Sequence, residues 1–569
     1  MSPAPPSALS LVARIEQVAA ADLGTVTFVT GDEHQTVGWD TLHAQARTVA
    51  ARLQALGVVP GDHVALLGPT TRNLVAAVQG VWLAGAVLVT LPLPMRMASL
   101  ERFVAQTRQR LAQSDSRLVL VDPELAALVA PEPGGPPFVE LDVLCGDDGV
   151  GADDWQRPAD DPDALALLQF TSGSTSEPKG VMLRHRNICH NLDGAWAAAS
   201  MTPDDTVVSW LPLYHDMGLI GLLCVPMTGG CSLVQGAPQD FLARPLRWFR
   251  WLSEFGGTVT AGPNFSYALG ARALRRAEEP LDLSKVEVLL SGAEPVDAEV
   301  FRNFLDAAAR YGLDPASAFP AFGMAEVCIA GTFPPRGRGL RTDVVDRQAL
   351  EVEQRAVAVE PGTAGAVELA VLGGPVDGLE LRVVDVATGE LCGERQVGEL
   401  HLAGNALTAG YYGRPEDTAE LLVDGWLHTG DLAYLLGGEL VVCGRIKNVM
   451  IVGGRNLYPQ DVEKAVGEVD GVRAGNVVAF GVDGRHGAQH VVVVAEATAP
   501  SDDAEAGEWV AALQRVVVGA VTEAVGVPPW EVVLVAPGTV PKTSSGKLQR
   551  SACRAQFVDG SLARLAEGG

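Results

Sequence analysis

The sequence predicts a large α/β domain followed by a small α+β domain, and three observations indicate this. The chain has 569 residues, of which 47% are hydrophobic, and this length exceeds what one hydrophobic core usually serves. Short apolar runs alternate with amphipathic helical patterns, which is typical of parallel sheets flanked by helices. After Arg445 the pattern changes to a separate set of strands and helices.

The alternation is clearest between residues 37 and 94. WDTLHAQARTVAARLQALG has the spacing of an amphipathic helix that ends at Gly57. DHVALLG predicts a buried strand, NLVAAVQGVWLAGA a helix and VLVTLPL a second strand. Residues 130–164 are rich in Pro, Gly and Asp and predict an exposed connection. Beyond it, TVVSWLPL, TVTAGP and KVEVLLSGAEP predict strands that lead into loops, where open α/β sheets bind ligands.

The last part of the chain has a different order of elements. VGELHLAG and GELVVCGR begin a strand-rich stretch. Then VMIVGG, GNVVAFGV and HVVVVAEA predict strands, while PQDVEKAVGEV and WVAALQRVVVGAV predict helices. A unit of about 125 residues is large enough to fold as a domain. We therefore divide the chain into a large domain, residues 1–443, and a small domain, residues 444–569.

The charge balance excludes some classes of partner. The formal net charge is −27, from 42 Lys and Arg against 69 Asp and Glu, which argues against nucleic acid or an anionic membrane. Residues 444–569 contain 12 basic and 14 acidic residues, a net charge of −2. Ordinary solubility of the large domain explains this asymmetry, and so does a small domain that must not repel an acidic partner.

Cysteine usage and the N-terminus bear on location. The 8 cysteines form no CxxC pair and have irregular spacing, which predicts mostly buried, reduced thiols in a cytoplasmic protein. MSPAPPSALSLVARIEQ has no basic segment before an apolar run, so we expect no signal peptide. No apolar stretch approaches the roughly 20 residues that a membrane span needs.

A Ser/Thr-rich loop with one lysine follows the apolar run ALALLQF. Hydroxyls, backbone N–H groups and a lysine ammonium in such a turn can surround phosphate oxygens. The GxxxxGK[ST] pattern of a Walker loop does not fit, and a polar loop without a ligand is the alternative. The residues of this candidate phosphate loop are Thr171, Ser172, Gly173, Ser174, Thr175 and Lys179.

TSGSTSEPKGV resembles the signature of the adenylate-forming superfamily, which includes acyl-CoA synthetases, peptide-synthetase adenylation domains and luciferase-like enzymes. The similarity runs from about residue 37 to Arg554, with SWLPLYHDMGL, SGAEP, AFGMAE, GWLHTGD, GRIKN and PKTSSGKLQR in the family's order. It implies helix-flanked sheets with a β-barrel-like subdomain and a small mobile domain that rotates about Lys447. It also implies ATP-dependent activation of a carboxylic acid, with Mg²⁺.

The resemblance assigns nucleotide contacts residue by residue. Glu326 and Thr171 are expected to hold Mg²⁺, and Asp431 and Arg445 to contact the ribose or phosphate. AFGMAE has Phe322 and Ala325 where the family pattern YGxTE has Tyr and Thr, and the second change removes a hydroxyl near the α-phosphate. The residues expected beside the adenine are Gly292, Ala293, Glu294, Ala321, Phe322, Gly323 and Met324.

The same resemblance assigns the acid side of the site. His215 is expected to line the path to the reacting carboxylate, and Lys547 to enter the site during adenylation. A satisfied core histidine and a solvated basic tail are the alternatives for these two residues. The predicted acid pocket consists of Trp210, His215, Asp216, Asn264, Phe265, Tyr267 and Met324.

Several strings resemble fatty acyl-AMP ligases in particular: LPLYHDMGLIG, GPNFSYAL, FPAFGMAE and GRNLYPQDVE. Those ligases carry an extra segment after the Glu motif, and residues 331–365 stand in that place, with the composition of an exposed insertion or a variable surface loop. The resemblance implies transfer of a fatty acyl group to an acyl carrier protein acting in trans. The alternatives are an acyl-CoA ligase, an amino-acid or aryl-acid enzyme in which Asp216 pairs with an ammonium group, and a nucleotide-binding protein without catalysis.

Overall fold

The computed structural model describes residues 8–94, 100–129, 131–146, 150–171, 178–452, 455–483, 489–499, 503–543 and 546–565. The helices are α1 (Leu11–Ala21), α2 (Trp39–Ala55), α3 (Arg72–Leu83), α4 (Leu100–Gln113), α5 (Pro123–Ala126), α6 (Leu141–Cys145), α7 (His185–Ala198), α8 (Val225–Gly229), α9 (Pro238–Ala243), α10 (Leu246–Glu254), α11 (Asn264–Arg276), α12 (Ala298–Ala309), α13 (Arg347–Val352), α14 (Pro415–Leu421), α15 (Pro459–Gly467), α16 (Asp503–Val525) and α17 (Arg550–Val558).

The strands are β1 (Thr25–Thr30), β2 (Glu33–Gly38), β3 (His63–Leu67), β4 (Val87–Thr90), β5 (Leu118–Val121), β6 (Phe138–Glu140), β7 (Leu165–Thr171), β8 (Lys179–Arg184), β9 (Thr206–Ser209), β10 (Ser232–Gln235), β11 (Val259–Gly262), β12 (Val288–Ser291), β13 (Ala318–Pro320), β14 (Phe322–Gly323), β15 (Ala330–Phe333), β16 (Thr342–Asp346), β17 (Ala366–Ala370), β18 (Gly374–Pro375), β19 (Leu379–Val384), β20 (Gly398–Gly404), β21 (Leu422–Val423), β22 (Trp426–Leu436), β23 (Glu439–Arg445), β24 (Met450–Val452), β25 (Arg455–Leu457), β26 (Val472–Asp483), β27 (Gln489–Ala497) and β28 (Glu531–Val535).

Two mainly parallel sheets form the large domain. One has the strand order β6-β5-β3-β4-β7-β8 and the other β13-β12-β11-β9-β10-β1-β2. Only the β7–β8 and β1–β2 pairs are antiparallel. Short strands such as VLVT in β4 are buried along their whole length because helices cover both faces. The predicted alternation of strands and helices is confirmed.

The predicted exposed connection at residues 130–164 is wrong in part. β6 lies within this stretch and extends the first sheet by pairing with β5 in parallel. α6 follows at once and buries Leu141 and Leu144. The Pro- and Gly-rich composition around these elements hid a short edge strand, because three residues give no readable alternation.

Residues 322–445 form small antiparallel sheets, in the position of the expected barrel-like subdomain. Residues 331–365 belong to this region and contain most of β15 together with β16 and α13. The expectation of an exposed segment is wrong in part: residues 360–365 are exposed, but Val345 and Leu350 are buried in a cluster with Tyr434 and Val441 of β22 and β23. Apolar residues at these positions anchor the segment between charged residues that face solvent.

The small domain has its own core. Strands β26, β27 and β28 form one sheet, and α15 and α16 pack on it through buried valines such as Val493 and Val517. β23 crosses the proposed boundary at 443/444, continues to Arg445 and pairs with β22 of the large domain. Lys447 lies in the single 3₁₀ turn Ile446–Asn448 that follows.

Ion pairs join the two domains at α13. Arg347 bonds Asp461 of α15, and Arg455 Nη2 lies 2.5 Å from Glu351 Oε2. The Glu351 side chain is fully buried, so its charge depends on Arg455 and Arg347 for compensation. α13, which lies inside residues 331–365, therefore connects the large domain to the small one through ion pairs.

The described helices include none long and apolar enough to cross a membrane. All eight cysteines are free and five of them are buried, as the sequence predicted.

Candidate active site

Four neighbouring parallel strands of the second sheet end at one edge. Gly262 of β11 lies beside Ser291 of β12, which lies beside Pro320 of β13, and β9 pairs with β11 on the other side. The chain leaves each strand into a loop that carries predicted site residues. Loops at this edge of a parallel sheet form ligand sites, so strand register brings the predicted acid and adenine residues together.

The two predicted adenine loops touch each other. A Cβ atom on Gly292 would stand 3.0 Å from the carbonyl oxygen of Ala321. A Cβ atom on Gly323 would stand 1.8 Å from the carbonyl oxygen of Ile329, so only glycine fits at that position. Phe322 is half-buried and keeps part of its ring accessible beside this loop pair. The aromatic side chain expected at the adenine is thus available.

The phosphate loop joins two paired strands of the first sheet. Thr171 ends β7, Lys179 begins β8, and the two residues are direct neighbours in the antiparallel pair. Ser172, Gly173, Ser174 and Thr175 lie outside the described residues. The structure therefore gives the base of the loop but not its tip.

Lys179 contacts residues that the sequence analysis missed. Its Nζ lies 2.5 Å from Asp417 Oδ1 and 4.9 Å from the centre of the Tyr411 ring. The side chains of Lys179 and Asp417 are 21% and 28% exposed, so an incoming anion can still reach the ammonium group. This lysine is therefore a partly accessible cation at the loop base.

Glu326 lies in the tight turn Ala325–Val327 and is nearly buried. Its Oε1 accepts a hydrogen bond of 2.7 Å from the Tyr411 hydroxyl, and no described residue hydrogen-bonds its Oε2. Mg²⁺ prefers one or two protein oxygens together with phosphate oxygens and water. A carboxylate with one free oxygen fits that requirement.

Asp431 and Arg445 are direct neighbours in the β22–β23 pair. Arg445 Nε lies 2.9 Å from Asp431 Oδ1. Burial raises the pKa of Asp431 to about 6, against the opposing charge of Arg445. The carboxylate therefore accepts hydrogen bonds at neutral pH and titrates just below it, which suits a contact to sugar hydroxyls.

A second cluster lies on β20 and β22. The ligand atoms of Glu399, His401 and His428 come within 4.8 Å of one another. The two imidazole rings stack with centres 3.8 Å apart and planes at 15°. Lone pairs in nearly parallel ring planes do not converge on one ion, and Glu399 also accepts from the Gly430 N–H. We assign this cluster a structural role behind Asp431.

His215 and Asp216 lie between a tight turn and a buried helix. The His215 N–H donates to Pro212, and Met217–Cys224 continues as a π-helix. His215 Nδ1 lies 2.5 Å from Asp216 Oδ1. Burial opposes ionisation of Asp216, but His215 and then Lys547 hold its pKa below the ordinary value. Asp216 is therefore an ionised group that is bonded to His215 and attracted by the charge of Lys547.

Three residues of the predicted acid pocket make contacts that the sequence does not show. Tyr267 is fully buried, and Trp210 is 3% exposed and stacks on Phe241 at 4.0 Å, so both support the pocket from behind. The Asn264 side chain bonds Pro295 and Asp297 and pins two loops together. These side chains are engaged in tertiary packing and loop contacts, which the sequence could not show.

Phe265 and Met324 are half-buried and accessible. Phe265 also meets the small domain, since a Cβ atom on Gly546 would stand 3.6 Å from its ring.

Lys547 reaches the large domain. The turn that carries it is closed by hydrogen bonds between Lys547 and Thr543. Its positive charge acts on both Asp216 and Glu294. Burial raises the pKa of Glu294, and the charge of Lys547 partly opposes this effect. The small domain thus delivers an ammonium group to the acid side of the strand-end edge.

Asp417 and Tyr411 are the two site residues that sequence reasoning missed. They lie in GYYGRPEDT, which follows a strand and has Pro, Gly and charged residues typical of a surface turn. The available signal was an aromatic residue in an otherwise polar turn. Only the pairing of this turn with β8 brings it to Lys179.

Comparison with known proteins agrees with this geometry. The AMP-binding enzyme family matches residues 15–412. A Mycobacterium tuberculosis protein named "Putative ligase Rv1013" is 39% identical over 93% of this chain and 97% of its own length. The medium-chain-fatty-acid–[acyl-carrier-protein] ligase JamA of Moorena producens is 33% identical over 93% of this chain and 91% of its own.

Solved structures give the same result. A structure from studies of fatty acyl-adenylate ligases of E. coli and L. pneumophila is 30% identical, with a TM-score of 0.88 over 97% of this chain and 98% of that one. A fatty acyl-adenylate ligase of L. pneumophila in complex with acyl adenylate and pyrophosphate is 28% identical, with a TM-score of 0.74 and 98% of both chains covered. The chain therefore belongs to the family of AMP-binding enzymes.

Proposed function

We propose that this protein uses ATP to activate a fatty acid as its acyl-AMP and then passes the acyl group to the phosphopantetheine thiol of an acyl carrier protein. The observation that carries the proposal is a set of three cationic side chains, each placed beside one part of the predicted site. Lys179 stands at the phosphate loop, Arg445 at the ribose carboxylate and Lys547 at the acid side.

The chemistry requires cations more than a general base. A carboxylate is ionised at pH 7, and its approach to a polyphosphate is opposed by charge. One carboxylate oxygen attacks the α-phosphorus, the bond from that phosphorus to the bridging oxygen breaks, and pyrophosphate leaves with the electron pair. Lys547 stabilises the negative charge where acid and α-phosphate meet, and Lys179 stabilises it on the departing phosphates.

Glu326 and Thr171 would hold Mg²⁺, which when bound neutralises phosphate charge. The Tyr411 hydroxyl fixes one carboxylate oxygen of Glu326 and leaves the other for the ion.

The acid is best explained as one without an amino group. Asp216 would have to pair with a substrate ammonium, but its carboxylate is already bonded to His215 and faces Lys547. The accessible walls, Phe265 and Met324, are apolar. Several relatives are named as fatty-acid ligases, which supports an alkyl chain as the rest of the substrate.

The same relatives and the domain contacts support an acyl carrier protein as the acceptor of the acyl group. JamA is named as a ligase for an acyl carrier protein. The small domain carries nearly balanced charge, so an acidic carrier would meet little repulsion there. Rotation about Lys447 would withdraw Lys547 after adenylation and admit the thiol, and the ion pairs at α13 would hold the first orientation.

The direct test is ATP–pyrophosphate exchange with a panel of fatty, aryl and amino acids, followed by CoA or a holo carrier protein as acceptor. We expect exchange with fatty acids, and acyl transfer to the carrier in preference to CoA. Exchange with amino acids alone would overturn the choice of acid. Equal transfer to CoA would instead identify an acyl-CoA ligase.

A further inference from the structure

A continuous line of side chains connects the phosphate lysine with the metal-binding carboxylate. Asp417 bonds Lys179 at 2.5 Å, Lys179 lies over the Tyr411 ring, and the Tyr411 hydroxyl donates to Glu326 at 2.7 Å. Lys179 and Glu326, which the proposed function assigns to the phosphates, thus contact the same tyrosine, one at its ring and the other at its hydroxyl.

The backbone fixes that tyrosine firmly. The Tyr411 N–H donates to the Thr418 hydroxyl at 2.9 Å, and Val181 of β8 forms an isolated bridge with Tyr411. Tyr411 itself is 9% exposed. A tyrosine hydroxyl is protonated at neutral pH, so it donates its proton to Glu326. The ring is held by these contacts, whereas the Lys179 side chain is still 21% exposed.

Asp417 has a charge opposite to that of Lys179, and it takes no part in the proposed reaction. An ATP polyphosphate has far more negative charge than one carboxylate, and it enters where Lys179 is accessible. When phosphate takes the lysine, Asp417 is left near a polyanion, and their repulsion favours release of the phosphate. The same lysine cannot pair fully with both anions.

We propose that Asp417 is a displaceable counter-ion of Lys179 that yields the lysine to incoming ATP and recaptures it as pyrophosphate leaves, while Tyr411 positions both Lys179 and Glu326. Both are positioning residues, since each acts through another side chain. The inference rests on the proposed function for its ligand, a polyphosphate, but not for the identity of the acid.

Equilibrium binding of pyrophosphate tests Asp417 without any acid substrate. In Asp417→Asn the competing charge is gone, so we expect pyrophosphate to bind about fivefold tighter, the scale of a half-exposed ion pair. Glu416→Gln is the matched control, because it removes the same charge from an exposed neighbour in the same helical turn. A merely structural Asp417 would give equal or weaker binding, and that result overturns the proposal.

A second comparison separates the counter-ion from a general charge effect. In a Lys179→Met background, Asp417→Asn should change pyrophosphate affinity no more than Glu416→Gln does. Tightening that persists without Lys179 would refute the counter-ion role.

Tyr411→Phe keeps the ring under Lys179 but removes the hydroxyl from Glu326. We expect the Mg²⁺ concentration that half-saturates ATP binding to rise about tenfold, the lower end of what removal of a ligand's supporting hydrogen bond costs. Tyr412→Phe is the control, since that hydroxyl bonds Asp115 instead. An unchanged Mg²⁺ requirement in Tyr411→Phe would remove Tyr411 from the proposal.

These binding measurements can refute the counter-ion role without refuting the proposed function, and the reverse also holds. If fatty acids support no exchange but Asp417→Asn still tightens pyrophosphate, the choice of acid is wrong and the counter-ion stands. If exchange proceeds normally and pyrophosphate affinity does not respond, the counter-ion is wrong and the activity stands.

Discussion

The nucleotide half and the acid half of the site are held in different ways. On the nucleotide side, Thr171 pairs with Lys179 and Asp431 pairs with Arg445, each within one antiparallel ladder, the second of which crosses the proposed domain boundary. On the acid side, His215 and Asp216 come from a loop before a π-helix, and Lys547 comes from another domain. Strand pairing fixes the first half, whereas domain docking completes the second.

This difference separates binding from catalysis. A ladder of backbone hydrogen bonds keeps the nucleotide contacts in place whatever the small domain does. Lys547 reaches Asp216 only while the domains are docked through contacts such as Arg347–Asp461. We therefore expect that nucleotide affinity and adenylation rate can be changed independently.

The largest expected effect belongs to Lys547→Ala. Loss of one contact that forms in the transition state costs on the order of 10²-fold or more in rate. ATP–pyrophosphate exchange should fall by that factor, while equilibrium ATP affinity changes little because the nucleotide half is intact. Lys285→Ala, at an exposed position, is the control. Exchange at the normal rate in Lys547→Ala would remove this lysine from the reaction.

The pH dependence of nucleoside binding tests the other half. With its pKa at about 6, Asp431 is ionised above that pH and protonated below it. Only the ionised carboxylate accepts hydrogen bonds from both ribose hydroxyls. Adenosine affinity should therefore fall about tenfold from pH 7 to pH 5, as one protonation with this pKa requires. Adenosine has no phosphate to titrate, so calorimetry reports the protein group.

The matching variant is Asp431→Asn, which should bind adenosine weakly at both pH values. A pH dependence that survives in Asp431→Asn would point to another group.

A smaller effect is expected at the domain contact. Arg347→Ala removes the partner of Asp461, so Lys547 should spend less time docked and exchange should slow about threefold, the scale of a partly exposed ion pair. The second half-reaction, from acyl-AMP to a thiol, should not slow. Arg341→Ala is the control, because its partner Glu439 lies in the large domain. Equal slowing of both half-reactions would show that Arg347 supports folding instead.

Much of the fold was readable because local pattern and tertiary role agree. The helix of WDTLHAQARTVAARLQALG and the strand of DHVALLG form as predicted, since each buries the face that its periodicity marks. The misreadings lie where burial depends on distant partners. β6 is too short to show a pattern, and Val345 and Leu350 are buried only because β22 and β23 pass beside them.

In the candidate site, too, features set by local pattern could be predicted, and those that depend on distant partners could not. The loops after β9, β11 and β12 were predictable because parallel strands end together. The burial of Tyr267 could not be predicted because it packs against Phe301 and Phe304, which lie far along the chain. Asp417 was missed because its partner Lys179 is separated from it by 238 positions.

The sequence by itself determined the two-domain α/β organisation, the reaction class implied by its motifs, and the residues at strand ends, because periodicity and short motifs are local properties. Tertiary structure alone decided which charges meet. Strand register set Asp431 against Arg445, domain docking set Lys547 beside Asp216, and the turn after β20 set Asp417 on Lys179. Electrostatic energy depends on distance in space, and the order of residues along a chain does not encode that distance.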